Sequence, residues 1–456
     1  MTDDNRYDIE AFRRDIGGMR VYDDPKQVEL KSRDYYWYSP ILNEELDGRV
    51  GDIVVIPQDQ DEVRRVAAAA ARHRIPITVR GGGTGNYGQC VPLEGGIILD
   101  VTRLDRIISI EPGKALVEAG ARIGKLDDAA HAVGQELLMY PSTRRIATIG
   151  GFFSGGSGGV GSLRHGMLRD DGNVGCVKVM TVEEEPKIIE LHGPDIQKVQ
   201  HAYGTNGIIL ELEVGLTQFT DWVHTAALFD SYRTALRFAL TAQETGLDCY
   251  LLTPVERRFA PFYQKFGERF PADRDAVFAM VAPAEMGRFE SLVKEFGGAV
   301  SFAMSKEELH AAGLQPAYEC GWNHTTLQAL KADKSWTYLQ VAYPRPFDPD
   351  LVIRQMERYG DDLYMHHEMA RLEGEIQIFA LPLVKYRGRE AMYKMIREFQ
   401  ELDGCDIYDP HVYTIEDGGM KQIDTVQIDF KKMADPHGLM NPGKTRGWTP
   451  DMATGA

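Results

Sequence analysis

Apolar and polar positions change period several times along the chain, and each change predicts an element. Ile53-Val54-Val55-Ile56-Pro57 is an unbroken apolar run of strand length. Asp59-Gln60-Asp61-Glu62 follows as a capping box in which Glu62 reaches back to the helix start. Val63, Val66, Ala67, Ala70 and Ala71 then recur on one helical face, with Pro76 beyond its end. Ile77-Thr78-Val79, 96–101 and 115–119 read as strands, Ile123, Leu126, Ala130 and Val133 as a second helix, and 208–216 as a closing strand. Further on, Tyr232, Ala235, Leu236 and Ala239 mark a helix ended by Gly246, and Phe289, Leu292, Val293 and Phe296 another ended by Gly297. A second half begins at 338–343, and the runs 363–372 and 375–381 predict a hairpin turning at Glu373-Gly374. The result is an α+β chain whose second half is an antiparallel sheet backed by helices.

At roughly 100 to 200 residues per domain, 456 residues predict two or three domains. The balance of 51 Lys+Arg against 68 Asp+Glu gives a net charge of −17, which argues against nucleic acid as a partner. No apolar stretch approaches the roughly 18 to 20 residues that cross a bilayer. The segment Met1 to Arg6 is polar and acidic, without the pattern of a secretory leader, so a cytoplasmic protein is expected. Cys90, Cys176, Cys249, Cys320 and Cys405 lie far apart with no C-x-x-C pair, which excludes a zinc ribbon and a disulfide framework as readings.

Glycine concentrates between Gly81 and Gly166, and two stretches, 83–88 and 156–161, satisfy G-x-G-x-x-G. A dinucleotide fingerprint needs a helix to begin inside the motif. Pro92 and a strand follow the first copy, and Ser162-Leu163-Arg164-His165-Gly166 shows no helical face after the second. The alternative is Arg80-Gly81-Gly82-Gly83-Thr84-Gly85-Asn86 as a loop whose consecutive backbone amides converge on an anion, with Thr84 and Asn86 adding donors.

Six ordered segments, covering about half the chain, resemble the PCMH-type FAD-binding domain of the vanillyl-alcohol oxidase superfamily, nearest its glycolate oxidase and D-lactate dehydrogenase branch. They are Val55-Ile56-Pro57 with the run from Pro76 to Thr84, Ile98-Leu99-Asp100-Val101, Pro141-Ser142-Thr143 with Ala147-Thr148-Ile149-Gly150-Gly151, Gly156-Ser157-Gly158-Gly159, Tyr203-Gly204-Thr205-Asn206-Gly207-Ile208-Ile209, and the stretch from Asp435 through Asn441 to Lys444. The resemblance implies a two-subdomain FAD-binding domain at 46–220 after an N-terminal segment at 1–45, a cap domain at 221–425, and a C-terminal segment, 426–456, that returns to the FAD domain. It implies FAD contacts from Arg80, Gly81, Gly82, Gly83, Thr84, Gly85 and Asn86 at the pyrophosphate, from Pro141, Ser142, Thr148, Gly150, Gly151, Gly158 and Gly159 beside the flavin ring, and from Gly207, Ile208, Ile209 and Asn441. Thr84 stands where many members link flavin to a histidine, so the FAD is expected to be non-covalent; Cys90 and His165 are given packing roles.

An alcohol oxidised by flavin needs a base for its hydroxyl proton. Met365-His366-His367-Glu368-Met369-Ala370-Arg371 offers two faces by strand alternation, His366 with Glu368 and His367 with Arg371. His411, after Asp409-Pro410, is a second candidate base, and Arg371 or Arg345 a carboxylate clamp. Trp322, His324, Tyr338 and Tyr343 are candidates for the substrate wall. Relatives often hold a divalent metal on histidines and a glutamate, but their histidine spacing and Glu-His-Gly segment are absent here, so no metal ligands are assigned and the sequence leaves open whether a divalent metal sits in the site. The expected activity is transfer of hydride from a CH–OH carbon of a small molecule to FAD, with a 2-hydroxy acid favoured over an aromatic alcohol or phenol. A non-catalytic nucleotide-binding module is the rival from another class. The residues leave the electron acceptor open between oxygen, a quinone, a cytochrome and an electron-transfer protein, and are compatible with a homo-oligomer.

Overall fold

The computed structural model describes residues 7–453; the acidic tail read for a leader, and the last three residues, lie outside the described residues. Two sheets build the first half. In the first, Ile53–Ile56 and Ile77–Arg80 both run parallel to the central Ile97–Asp100, and Arg20–Tyr22 adds an antiparallel edge. The two strands Ile53–Ile56 and Ile97–Asp100 are buried at every position, as parallel strands covered on both faces require. Helix Gln60–His73 starts where Asp59 accepts the Glu62 N–H at 2.8 Å, and the Glu62 carboxylate accepts from Gln58, one residue before the cap. Phe12 and Ile16 join the core of this layer, so the N-terminal segment is packed and strand-paired onto it.

The second sheet hangs on one long strand, Ile208–Gln218, which pairs antiparallel with Lys114–Glu118 on one side and Val174–Met180 on the other, its end also taking Gln135–Leu137. Ile107–Glu111 and Ile188–His192 complete it. The chain's last part closes on the first sheet. Ile77 N–H donates to the Leu439 carbonyl and Asn441 N–H to the Ile77 carbonyl, both at 2.8 Å.

The sheets of the second half, called the cap below, are antiparallel throughout. Val223–Phe229, Cys249–Val255, Asp275–Val281 and Ala299–Met304 form one sheet, with helices Tyr232–Glu244 and Met286–Glu295 packed on it. His367–Leu372 and Glu375–Ala380 form the expected hairpin, its turn made by Glu373 (φ 56°) and Gly374 (φ 82°), both left-handed as a tight two-residue turn demands. The run 363–372 is not one strand, however. Leu363–Tyr364 pairs with Leu383–Lys385 in a separate three-stranded sheet, and the chain changes sheets at Met365-His366, where Met365 N–H is held by the Glu256 carboxylate at 2.8 Å and His366 bridges Val255. A single helical turn, Ser162–His165, follows Gly161, where the residue pattern shows no helical face.

Between the two halves of the molecule's first domain, Lys431 is a buried staple: its Nζ donates to the Thr205 carbonyl at 2.7 Å and to Asp435 Oδ2 at 2.6 Å, and Asp435 in turn accepts from Leu439 and Met440 N–H. Lys431→Met leaves the Asp435 charge buried without its cation, and the expected loss is about 3 to 5 kcal/mol. Urea unfolding of the two proteins measures it; equal midpoints would refute the staple.

Candidate functional site

A cavity of about 780 Å³ opens where loops of the first two sheets face the cap. Its most unusual wall is the loop after strand Ile77–Arg80. Among the described residues, no N–H from Gly81 to Asn86 donates to a protein acceptor. Six consecutive unpaired amides beside a cavity are a site for an anionic ligand, because buried backbone donors otherwise find partners. The loop is fixed from behind: Tyr35 N–H donates to the Gly85 carbonyl at 2.6 Å, Lys444 Nζ to Gly88 at 2.6 Å, and Asn441 Nδ2 to the carbonyls of Gln89 and Tyr203 at 2.7 and 2.6 Å.

Why glycines stand here is a matter of space. A Cβ on Gly82 would strike the Ile146 carbonyl, and one on Gly81 the Thr148 hydroxyl. The loop therefore lies flat on 146–148, whose next residues, Gly150 and Gly151, also line the cavity. Across from them Gly159 abuts the Tyr140 carbonyl, so Pro141, Ser142, Gly158 and Gly159 form a second wall made largely of backbone. Beside the loop sit Asp34 and Cys90, which also line the cavity, with Arg80 and Lys444 next to them. The Arg80 guanidinium lies against Gly83 and donates to the Arg33 carbonyl and, at 3.4 Å, to Cys90 Sγ. Burial raises the Asp34 carboxyl and lowers the Lys444 ammonium, each opposed by the other's charge. The Cys90 thiol is pushed up to about 12 by burial and by Asp34, so it stays protonated and a poor nucleophile.

Of the residues singled out from the sequence, Gly81 to Asn86, Pro141, Ser142, Thr148, Gly150, Gly151, Gly158, Gly159, Gly207, Ile209 and Trp322 line this one cavity. Arg80 and Asn441 support it from behind, and Ile208 points into the core of the first sheet. The candidate bases stand elsewhere. His366 and Glu368 are wholly buried in the cap, 2.7 Å apart, and Glu368 Oε1 also accepts from Thr253 Oγ1 and, at 2.6 Å, from Trp322 N–H. Through that bond the pair holds Trp322, whose φ of 50° puts it in a left-handed backbone at the cavity edge. His367 faces the opposite way, its Nδ1 2.7 Å from the Tyr232 hydroxyl and its ring beside Tyr343. His411 is buried with Nδ1 2.7 Å from Ser39 Oγ, behind the cavity residue Tyr38. Arg371 donates to the Gly374 carbonyl in the hairpin turn, Arg345 is exposed, and His324 pairs with Glu319 at 3.1 Å. Tyr338 and Tyr343 are buried cap residues, the latter donating to Gln355 at 2.6 Å.

The cavity also takes Ser157, from the Gly156-Ser157-Gly158-Gly159 segment, and residues that motif reading passes over: Arg169, His201, Gln340, Tyr408 and Lys421. His201 precedes the Tyr203-Gly204 motif by two positions, and nothing in its sequence surroundings separates it from a core histidine. No group of three or more His, Cys, Asp or Glu arranged to hold a metal occurs among the described residues, and no helix among them is long and apolar enough to cross a membrane.

Residues 51–185 match the FAD binding domain family. The chain is similar to a D-lactate dehydrogenase of Archaeoglobus fulgidus, 29% identical over 220 residues, which are 48% of this chain and 47% of that protein. It is similar over most of both lengths to the glycolate oxidase subunit GlcD of Bacillus subtilis, 25% identical over 433 residues, covering 86% and 88%. The aligned part thus spans about half of the first relative and nearly all of the second. In fold the chain matches solved structures of alkyldihydroxyacetonephosphate synthase (TM-score 0.73, 14% identity, 95% and 84% covered) and of p-cresol methylhydroxylase with substrate bound (TM-score 0.70, 14% identity, 96% and 95% covered). FAD fits the cavity as built, since unpaired amides await a diphosphate and the neighbouring walls lack the Cβ atoms that would fill the slot.

Two outcomes are expected. Gly82→Val drives side-chain atoms into the Ile146 carbonyl and displaces the amides, so affinity for FAD should fall at least about tenfold, read as the flavin-to-protein ratio after gel filtration. The second concerns pH. Burial first, and neighbouring Lys421 and Arg169 second, hold His201 down at about 3; burial holds His411 at about 3, and His165 and His224 at about 4. Folded-state values below the unfolded one mean that the native chain binds fewer protons, so this stability is complete above about pH 6.5 and is lost as pH falls towards 4. At about pH 5 each such histidine costs roughly 2 kcal/mol. Thermal unfolding followed from neutral to acid pH should show a falling midpoint with a shallower slope in His411→Asn.

Proposed function

We infer that this chain, an FAD-dependent oxidoreductase with its flavin-binding domain at residues 51–185, oxidises the CH–OH carbon of a small 2-hydroxy acid bound between that domain and the cap. The observation that carries the reading is the continuity of the cavity. It runs from the unpaired amides at 81–86 to a wall supplied by cap residues Leu372, Phe379, Leu381 and Tyr408. A cofactor anchored by its diphosphate at the loop therefore has room to reach the place where a small substrate meets the cap. The names of the relatives, D-lactate dehydrogenase and glycolate oxidase subunit, favour 2-hydroxy acids.

FAD, when bound, supplies the hydride acceptor. The chain's own part is positioning. The amides of Gly81 to Asn86 hold the diphosphate, the backbone walls at 141–142, 148–151 and 158–159 admit the rest of the cofactor closely, and Gly207 and Ile209 meet its other end. The apolar cap wall, with Met167 packed among Ala370, Phe379 and Leu372, keeps water away from the reacting carbon. His366, through Glu368, holds Trp322 at the mouth of the site, and His411 braces the wall behind Tyr38; both act as positioning groups.

The test is anaerobic mixing of the yellow protein with glycolate, D-lactate and longer 2-hydroxy acids, and separately with carboxylate-free aromatic alcohols. Loss of flavin colour with the first group alone is expected. Bleaching only by the aromatic alcohols would replace the substrate class, and a protein that binds FAD yet is bleached by neither would point to a nucleotide-binding module.

A further inference from the structure

One corner of the cavity holds a set of polar groups that positioning of the cofactor does not use. His201 lines the cavity, is 7% exposed, and has a left-handed backbone with φ 48°. Its Nδ1 is 2.9 Å from Ser157 Oγ, which fixes the ring, while its Nε2 has no protein partner. A non-glycine residue in that backbone region and an unpaired buried nitrogen are both unfavourable, and they coincide where a fold reserves a group for a ligand.

Two cations act on the ring by their charge, Lys421 and Arg169. The Lys421 ammonium donates only to neutral acceptors, the Gln200 carbonyl and Gln427 Oε1, each at 3.2 Å. Arg169 also lines the cavity with its side chain 50% exposed, and its 2.8 Å partner Glu373 is 71% exposed in the hairpin turn, so that pair is weak in water. Two carboxylates act on Lys421 from nearby, and Asp424 itself lines the cavity. Asp424 accepts from Val426 and Gln427 N–H at the start of helix Thr425–Ala434, and Glu416 accepts from Thr445 Oγ1 and Arg446 N–H. The corner thus presents the Arg169 and Lys421 cations and a fixed imidazole, with Asp424 and Glu416 as the carboxylates acting on Lys421, beside the apolar surface of Met167, Leu372 and Phe379.

We propose that Arg169, Lys421 and His201 Nε2 form the subsite for the carboxylate of the substrate, the two cations taking the carboxylate and His201 the hydroxyl on the adjacent carbon. The substrate's identity as a 2-hydroxy acid rests on the function proposed above; the anion site rests on this corner alone. Carboxylate and hydroxyl on neighbouring carbons form a compact pair of acceptors that three converging groups can grip, while the short apolar wall limits the rest of the molecule. Burial and the two cations keep the free imidazole neutral, so it can meet a hydroxyl as hydrogen-bond partner.

Oxalate is the probe, since it carries the carboxylate but no hydrogen on carbon to give up, and oxamide is its uncharged counterpart. Calorimetric titration of the FAD-loaded protein should show oxalate binding and no comparable binding of oxamide. Arg169→Gln, Lys421→Met and His201→Asn should each weaken oxalate roughly tenfold to a hundredfold, the range of a hydrogen bond to a charged group, with flavin content unchanged. Lys421→Arg should keep most of the affinity, which separates lost charge from a damaged fold. Failure of the unaltered protein to bind oxalate, equal binding of oxamide, or unchanged affinity in all three variants would overturn the subsite. If 2-hydroxy acids bleach the flavin while oxalate ignores these variants, the subsite falls and the function stands. If oxalate binding depends on all three residues but no 2-hydroxy acid bleaches the flavin, the anion site stands and the function falls.

Discussion

A stretch of chain pressed flat against another, with its amides turned outward, is the constraint from which the rest of the structure follows. Gly81 and Gly82 lie so close to Thr148 and Ile146 that no side chain fits between them. The residues from Gly81 to Asn86 line a cavity, and their N–H groups have no protein acceptor among the described residues. Partly buried donors without partners are unfavourable until a ligand accepts from them, so the segment requires strong support elsewhere. Two sheets supply it, one ending at Arg80 and the other organised around Ile208–Gln218.

Support also arrives from residues far apart in sequence. Tyr35, Asn441 and Lys444 each bond to a carbonyl at 85–89 or 203, and Lys431 ties Thr205 to Asp435 from a fully buried position. The loop is thereby gripped by segments at 35 and at 441–444, far apart in sequence, and Leu439 and Met440 pack in the core of the first sheet. Buried charge carries a risk here. Asp34 and Lys444 oppose each other's desolvation beside the loop, so their balance sets how positive that side of the anion site is.

Much of the scaffold was legible because its signals are local. The apolar run 53–56, the helical face from Val63 to Ala71 and the turn at Glu373-Gly374 depend on period and backbone preference within a few residues. The glycine loop was legible for the same reason. The sheet change at Met365-His366 was not, since 363–372 alternates as one strand would and only the distant Glu256 carboxylate and Val255 bridge divert it. Side-chain destinations were harder still. Alternation separates His366 and Glu368 from His367, but a strand has the same alternation whether its face meets a cavity or a core. His366 and His367 lie in the cap interior, and His411 is enclosed beside Ser39.

Burial alone does not distinguish these histidines either. His165, His201, His366, His367 and His411 each keep one ring nitrogen without a protein partner. What differs is where that nitrogen can find one. His366 and His367 have their other nitrogens engaged by Glu368 and Tyr232 inside the cap, and His411 by Ser39. Of the five, His201 is the one that lines the cavity, and it does so in a left-handed backbone with two cations alongside. A ligand entering the cavity can therefore satisfy His201 and leave the other four as they are. What sets His201 apart from the other four is access of its unpaired nitrogen to the cavity, a property fixed by the meeting of loops and by no single segment of the sequence.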